Sequence, residues 1–240
     1  MASEVIVDKI AKEIAGDITW SDFPGKSMRK WREIFGVTQL VISKRMGISS
    51  SVLSDYEKGR RTPGSGFVKK FVRTLLEIDR ERGYVIVKEL ARGQKLPPSA
   101  LLDMREFPQK VLLKEVVEAV KGIVLYGSEK LDKQIYGYTV LDSIAAIESM
   151  TGQEFLSIMG LTTERVLVFT NVGTGRSPMV AVRVSFLKPG AVVVHGPKAV
   201  DPLAVKLAES DGIPFILSQV PDVQSLLNGL RGLLRKKENQ

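Results

Sequence analysis

The sequence contains no cysteine and only one histidine, His195. A chain without cysteine can form neither disulfides nor thiolate metal sites, and a single histidine cannot supply a histidine-rich metal site. We therefore predict that the protein holds no metal and no cofactor. The lack of cysteine also fits a reducing compartment, so we expect a cytoplasmic protein.

Long apolar runs are also missing, since no stretch reaches the roughly 18 to 20 uncharged apolar residues that cross a bilayer. The first 16 residues mix charges with apolar residues at helical spacing, which is unlike a signal peptide. We expect a soluble protein that does not bind membranes. The sequence also shows no nucleophile beside a base and no paired carboxylates, so we predict that it is not an enzyme.

The net charge of +8 is distributed unevenly along the chain. Residues 25–73 carry 12 lysines and arginines against three acids, whereas residues 93–240 carry 17 against 15. A basic surface of this kind is typical of proteins that face phosphates. A solvated basic surface without a partner would give the same counts.

The basic region contains a pattern of two short helices joined by a tight turn. Small Ser43 lies where the second helix would cross the first, and Gly47 lies in the turn, where a left-handed conformation favours glycine. The apolar positions that would pack the two helices together are Ile42, Met46, Ile48, Leu53 and Tyr56.

Both helices of this pattern have start signals. Thr38 and Ser49 are residue types that cap helix N-termini. The residue before each cap is apolar and can pack against the fourth residue of the helix, as in the pairs Val37 with Ile42 and Ile48 with Leu53. Gly59 would end the second helix.

With a helix over 28–35 in front and an apolar-periodic helix from residue 67 behind, residues 25–80 resemble the Cro and phage-repressor (Xre) class of helix-turn-helix domains. The whole chain resembles predicted archaeal regulators that carry a C-terminal α/β domain. The resemblance implies a transcriptional regulator that binds double-stranded DNA as a homodimer. Two alternatives remain open at this point: a Cro-type bundle that contacts proteins of the transcription machinery, and a non-specific nucleic-acid binder.

In the Cro class the second helix of the motif enters the major groove. By position, the residues that this resemblance places at DNA are Gln39, Lys44, Arg45, Ser49, Ser50, Ser51, Ser54, Asp55, Lys58, Arg60 and Arg61. Gln39 and the cations would contact phosphates. Serine discriminates bases weakly, and Asp55 could accept from a cytosine, be repelled by phosphate or pair with Arg60. We therefore predict modest direct readout, with specificity from dimer spacing, DNA shape or Lys58 reaching a guanine.

The remaining elements predict an α+β protein with two domains. The first, residues 1–92, would be an all-α bundle with its core over 28–80. It would include a helix over 5–15 and a loop over 16–24 that anchors Trp20 and Phe23 in the bundle surface. Residues 84–87 could be helix or strand. The polar, proline-bearing stretch at 93–99 suggests the boundary.

The second domain, residues 93–240, would be an α/β domain with a small mixed sheet that includes a parallel pair. We predict that it forms the dimer and binds a small-molecule effector. The predicted strands are 166–169, 179–186, 191–194 and 215–217, and the predicted helices are 111–120, 140–150, 153–159, 202–208 and 223–234. The fold of residues 84–138 otherwise stays open.

Two segments of this domain could hold an anionic ligand. One is the glycine-bearing loop with Gly173, Thr174, Gly175, Arg176 and Ser177, which offers backbone N–H groups, hydroxyls and a guanidinium. It lacks the ending of a P-loop and precedes an apparent strand, so an ordinary hairpin turn is the favoured interpretation.

The other segment carries His195 and Lys198 at the end of a predicted strand, where α/β sheets place ligands. A loop that caps the following helix is the favoured interpretation there.

Overall fold

The computed structural model describes residues 4–93, 100–151, 154–155, 158 and 162–234. The chain divides into two compact units, Met1–Leu96 and Pro97–Gln240. The first is helical and the second combines helices with a six-stranded sheet. This confirms the predicted α+β fold class with two parts.

The N-terminal unit packs its helices around one apolar core, in which Ile14, Met28, Ile42, Phe71 and Leu75 are fully buried. Its helices are α1 Glu4–Trp20, α2 Pro24–Ile34, α3 Gln39–Met46, α4 Ser50–Glu57, α5 Ser65–Glu81 and α6 Val85–Gly93. None of the helices in the described part of the chain is long and apolar enough to cross a bilayer.

Helix α1 is longer than the predicted helix, because it continues through Gly16 to Trp20. The prediction that Trp20 and Phe23 are anchored in the bundle is wrong, since Trp20 is 93% and Phe23 61% exposed. The buried stripe of α1 runs through Ile10, Ile14 and Ile18. Because each residue turns a helix by about 100°, Trp20 projects away from that stripe.

Residues 84–87, which could be helix or strand by sequence, begin helix α6. Gly83 and Tyr84 both have positive φ and turn the chain after α5. The carboxylate of Asp79 then accepts the backbone N–H groups of Ile86 and Val87. A buried aspartate thus satisfies the free donors of a helix N-terminus, which selects helix over strand.

The C-terminal unit is built on a sheet with strand order β1-β3-β4-β5-β6-β2. The four middle strands are parallel, and the two edge strands are antiparallel to their neighbours. In chain order the elements are β1 Leu101–Leu112, α7 Leu113–Ala119, β2 Ile123–Tyr126, β3 Gln134–Asp142, α8 Ser143–Ser149, β4 Arg165–Thr170, α9 Arg176–Val184, β5 Ala191–His195, α10 Pro202–Asp211, β6 Phe215–Ser218 and α11 Val223–Gly232.

The sheet is buried on both faces, as expected for parallel strands. All six residues of β4 are buried. Alternate residues, such as Val166 and Val168, belong to a core that includes Val116 of α7 and Leu230 of α11. The residues between them point to the opposite face, because successive side chains of a strand alternate.

The prediction of a strand over 179–186 is wrong, because these residues lie mainly in helix α9. The apolar, β-branched composition favours a strand. Gly175, however, is left-handed at the N-cap position, and Pro178 lies in the first turn, where a missing N–H costs nothing. Only Pro178, Met179 and Val182 are buried along α9, which is a helical rather than an alternating pattern.

Two helices begin later in the chain than predicted. The helix predicted over 111–120 starts only at Leu113, since Val111 and Leu112 end strand β1. The helix predicted over 140–150 starts only at Ser143, because Asp142 ends β3 and caps α8 by accepting two backbone N–H groups. Most of the helix predicted over 153–159 lies outside the described residues.

Candidate nucleic-acid interface

The helix-turn-helix of α3 and α4 has the predicted geometry. The Thr38 hydroxyl accepts the backbone N–H of Val41, and the Ser49 hydroxyl accepts that of Val52. Gly47 has a φ of 65° and ends α3 in the left-handed conformation. Ser43 is buried where the two helices meet. Both predicted caps and the glycine turn are therefore confirmed.

A buried ion pair holds this motif together. Arg32 of α2 donates from Nε and Nη2 to the two carboxylate oxygens of Glu57 in α4, at 2.6 and 2.9 Å, and from Nη1 to the carbonyl of Val37. Gln39 donates to the same carboxylate at 2.7 Å. Hydrogen bonds to Glu57 raise the pKa of Arg32. The network fixes α4 against α2 and α3.

Helices α2 and α4 also approach closely at Gly25. A Cβ on this residue would lie 2.0 Å from the backbone oxygen of Tyr56. Glycine is therefore needed here for space, and its φ is not left-handed. The start of α2 rests directly on the last turn of α4, which sets the position of the second helix of the motif.

The residues predicted to face bases lie on one surface of α4. Ser50 and Ser51 are exposed at its N-terminus, and Ser54 is half-buried one turn later. The Ser51 hydroxyl lies 2.8 Å from that of Ser49, so the cap and an outward serine form a pair. Three hydroxyl groups thus line the exposed start of the helix.

Asp55 already has partners. Arg60 donates to its carboxylate at 3.2 Å, and Arg61 lies 4.0 Å from the other oxygen. The sequence left open whether Asp55 would accept from a cytosine or pair with Arg60. In the structure it pairs, and it holds two of the predicted phosphate-contacting cations beside the end of α4.

The other residues predicted to contact DNA differ in whether they already have a partner within the protein. Lys44 and Lys58 are exposed, and neither has a charged partner among the residues that the structure describes. Arg45 instead makes two hydrogen bonds to Glu81, which lower the pKa of Glu81. The side-chain amide of Gln39 donates one N–H to Glu57. Its nitrogen carries a second N–H that can donate to another group.

Cations that the sequence analysis did not select extend this surface. Lys26 and Arg29 of α2 line an open groove together with Lys58 and Arg61, which follow α4, and Arg29 pairs there with Glu33. Lys26 also lies over the ring of Phe23, 4.5 Å from its centre. The basic run at 26–30 was the available signal, but only the fold brings it beside residues 58–61.

In the C-terminal unit the structure brings the two predicted ligand segments together. The backbone N–H of Val172 donates to the carbonyl of His195, and the Thr174 carbonyl accepts the N–H of Asp201. Gly173, Thr174 and Ser177 are exposed. The loop leads from a parallel strand into helix α9 and not into another strand, so the hairpin-turn interpretation is wrong.

The charged residues of these segments are partly engaged. Arg176 donates to the carboxylate of Asp201. Asp201 caps α10, so the helix cap follows the segment 195–198, in which it was expected. His195 is buried, with Nδ1 3.4 Å from the hydroxyl of Ser218, and burial lowers its pKa. Lys198 is exposed.

Comparison with known proteins identifies the motif and the chain. A helix-turn-helix family model matches residues 28–75. A protein of Archaeoglobus fulgidus described as an uncharacterised HTH-type transcriptional regulator is 46% identical over 213 residues, covering 88% of this chain and 92% of the relative. A protein of Methanocaldococcus jannaschii with the same description is 45% identical over 229 residues, covering 93% and 94%. No solved structure matches the chain. The chain therefore belongs to the family of HTH-type transcriptional regulators.

Proposed function

We propose that this regulator binds a specific DNA sequence as a homodimer, with α4 of each copy in the major groove. The observation that carries the proposal is the exposed start of α4, with Ser50 and Ser51, together with the exposed Lys44 and Lys58, which precede and follow them in the chain. Helix N-termini in this motif point at base edges, while the surrounding cations contact phosphates.

Direct readout by this helix is limited. A hydroxyl can donate or accept, so a serine distinguishes bases less well than a bidentate arginine or asparagine does. Arg60 donates a hydrogen bond to the carboxylate of Asp55. The charge of Asp55 is therefore balanced by this arginine and does not serve to bind a base. Specificity then comes from the shape of the DNA, from the spacing of two half-sites, and from Lys58 reaching a guanine.

Two copies are needed because one head of this size makes few base contacts. In a dimer the two motifs would bind half-sites about 34 Å apart, one turn of the double helix. The Pro97–Gln240 unit is proposed to form the dimer, and the protein would act in the cytoplasm.

An effector would bind where residues 171–177 meet residues 195–198. Both segments follow buried parallel strands, and ligands of α/β sheets bind outside the carboxyl ends of such strands. The exposed N–H groups and hydroxyls of Gly173, Thr174 and Ser177, with Lys198 nearby, would suit an anionic small molecule.

The experiment that tests the DNA proposal is selection of bound DNA by the full chain, followed by gel-shift titration on the best site. Ser50→Ala combined with Ser51→Ala should weaken binding to that site at least about tenfold and leave binding to random DNA unchanged. Asp55 is left intact because its loss would free Arg60 and Arg61.

Ser128→Ala, at an exposed serine between β2 and β3 of the other unit, serves as the control and should bind as the wild type does. A symmetric motif that the double variant no longer distinguishes would support a sequence-reading dimer. Absence of any enriched sequence would instead favour a non-specific binder or a protein-interaction module. These two differ in salt dependence, which is steep only for phosphate contacts.

A further inference from the structure

The helical face of the C-terminal unit carries an apolar surface that is unusual in its exposure. Helix α8 presents Ile144 and Ile147, which are 56% and 68% exposed, and helix α9 with the residues after it presents Val184 and Phe186, at 79% and 77%. Isolated exposed apolar residues are common, but a contiguous group of this kind marks an interaction site.

A groove runs between the two helices. It has a volume of about 340 Å³, and Ala146 of α8 and Ala181 of α9 form its sides above Phe169 of β4. Small residues at the sides leave the groove open, while Val184 and Phe186 stand at its rim. The surface therefore offers both a depression and projecting side chains that could fill a matching depression.

We propose that this face, formed by α8, α9 and Phe186, binds the same face of a second copy of the chain. The inference rests on the proposed function, because it names the surface through which the proposed dimer forms. A twofold axis through the groove would place α8 of one copy against α9 of the other, as an isologous contact requires.

Charge does not oppose this arrangement. The described residues that line the groove are uncharged, and Arg183, which precedes Val184 on α9, is paired with Asp211 of α10. A face that carried one sign alone would repel itself.

The size of the surface is also sufficient. The five most exposed side chains, including Val180 of α9, present on the order of 500 Å² of apolar area, and the groove adds to it. A standard interface buries about 800 Å² on each partner, of which just over half is apolar. This face alone thus supplies the apolar area of a specific dimer.

Sedimentation of the full-length protein tests the proposal. The wild type should sediment as a dimer, and Ile147→Glu with Val184→Glu should raise the dimer dissociation constant roughly 100-fold or more, because four carboxylates would be buried without partners. Ile123→Glu is the matched control, since Ile123 is a half-exposed isoleucine on edge strand β2 and should leave the dimer intact. Thermal unfolding should show all three proteins folded.

Gel shifts separate this proposal from the DNA proposal. The monomeric variant should bind a single half-site as the wild type does and lose only the tighter binding to the full symmetric site. A wild-type dimer that persists in the double variant would overturn the assignment of this face and leave DNA reading intact. A wild type that is monomeric alone and on the symmetric site would overturn the dimer itself.

Discussion

Nε of Arg32 lies 2.6 Å from the carboxylate of Glu57, and both side chains are buried between the helices of the DNA-binding unit. The pair joins α2 to the last turn of α4, and the Gln39 amide completes it from α3. An ion pair in this position adds little net stability compared with apolar residues, but it defines one geometry for three helices.

We predict that Glu57→Gln destabilises the N-terminal unit by about 3 to 5 kcal/mol, because the Arg32 guanidinium would remain buried without a counter-charge. Chemical denaturation of the full chain, followed by far-UV circular dichroism, measures this change. Glu81→Gln is the control, since Glu81 pairs with Arg45 on the exposed surface and does not contact Arg32. Equal effects of the two substitutions would contradict a special role for the buried pair.

Two glycine substitutions should change stability in opposite directions. Gly25→Ala places a methyl group against the Tyr56 carbonyl, so α2 and α4 must separate, at a cost of about 1 to 3 kcal/mol. Gly16→Ala adds a methyl group in open space within helix α1 and should stabilise the protein by up to about 1 kcal/mol. Thermal melts give both values.

Gly25→Ala should also weaken DNA binding, because it shifts α4, the helix proposed to enter the major groove. Loss of stability from Gly16→Ala would show that residue 16 does not lie in a helix, and would contradict the length of α1.

The free lysines should dominate the salt dependence of DNA binding. Lys44→Ala is expected to reduce the slope of log affinity against log salt by about one and to weaken all sequences alike. Arg45→Ala should change the slope less, because Arg45 is already bound to Glu81. Titrations at several salt concentrations measure both slopes, and a larger change for Arg45 would show that DNA displaces Glu81.

His195 should make stability depend on pH near neutrality. Burial lowers its pKa from the ordinary value of 6.5, and the charge of Asp222 opposes this only in part. The unfolded chain therefore takes up the proton first as the pH falls. Stability is complete above about pH 6.5 and declines as the pH drops toward the lowered pKa. Melting temperatures from pH 8 to pH 5.5 measure the decline.

His195→Gln keeps a polar group beside Ser218 and removes the titration. The melting temperature of this variant should change less with pH over the same range. The chain has no other histidine, and carboxylates titrate at lower pH. Identical profiles for variant and wild type would contradict the prediction.

Sequence reasoning located the helix-turn-helix because its signals are local. Thr38, Gly47 and Ser49 act within four residues of their partners. The pair of Arg32 and Glu57 was missed, since 25 residues separate them and both types are usually exposed. The partners of Arg45 and Asp55 depend on where α5 and the loop after α4 come to lie, which no local pattern records.

The C-terminal sheet was harder to predict for a physical reason. Its parallel strands are buried on both faces, so they lack the alternation that separates strand from helix. Val140 was assigned to a helix and Val182 to a strand on apolar composition alone. The useful signals were the residues at element boundaries. Asp142 lies at the end of β3 and caps α8, and Gly175 followed by Pro178 marks the beginning of α9.

The position of β2 at the sheet edge next to β6 has a consequence for the order in which the unit assembles. Ile123 pairs with Leu217, so about 90 residues must be synthesised and ordered before β2 finds its partner. Gly229 of α11 packs against Ala119 at the end of α7, where a Cβ would lie 2.3 Å from the backbone oxygen. Helix α7 and strand β2 can therefore complete their packing only after β6 and α11 have formed. Until then the apolar side of α7 is exposed and can aggregate.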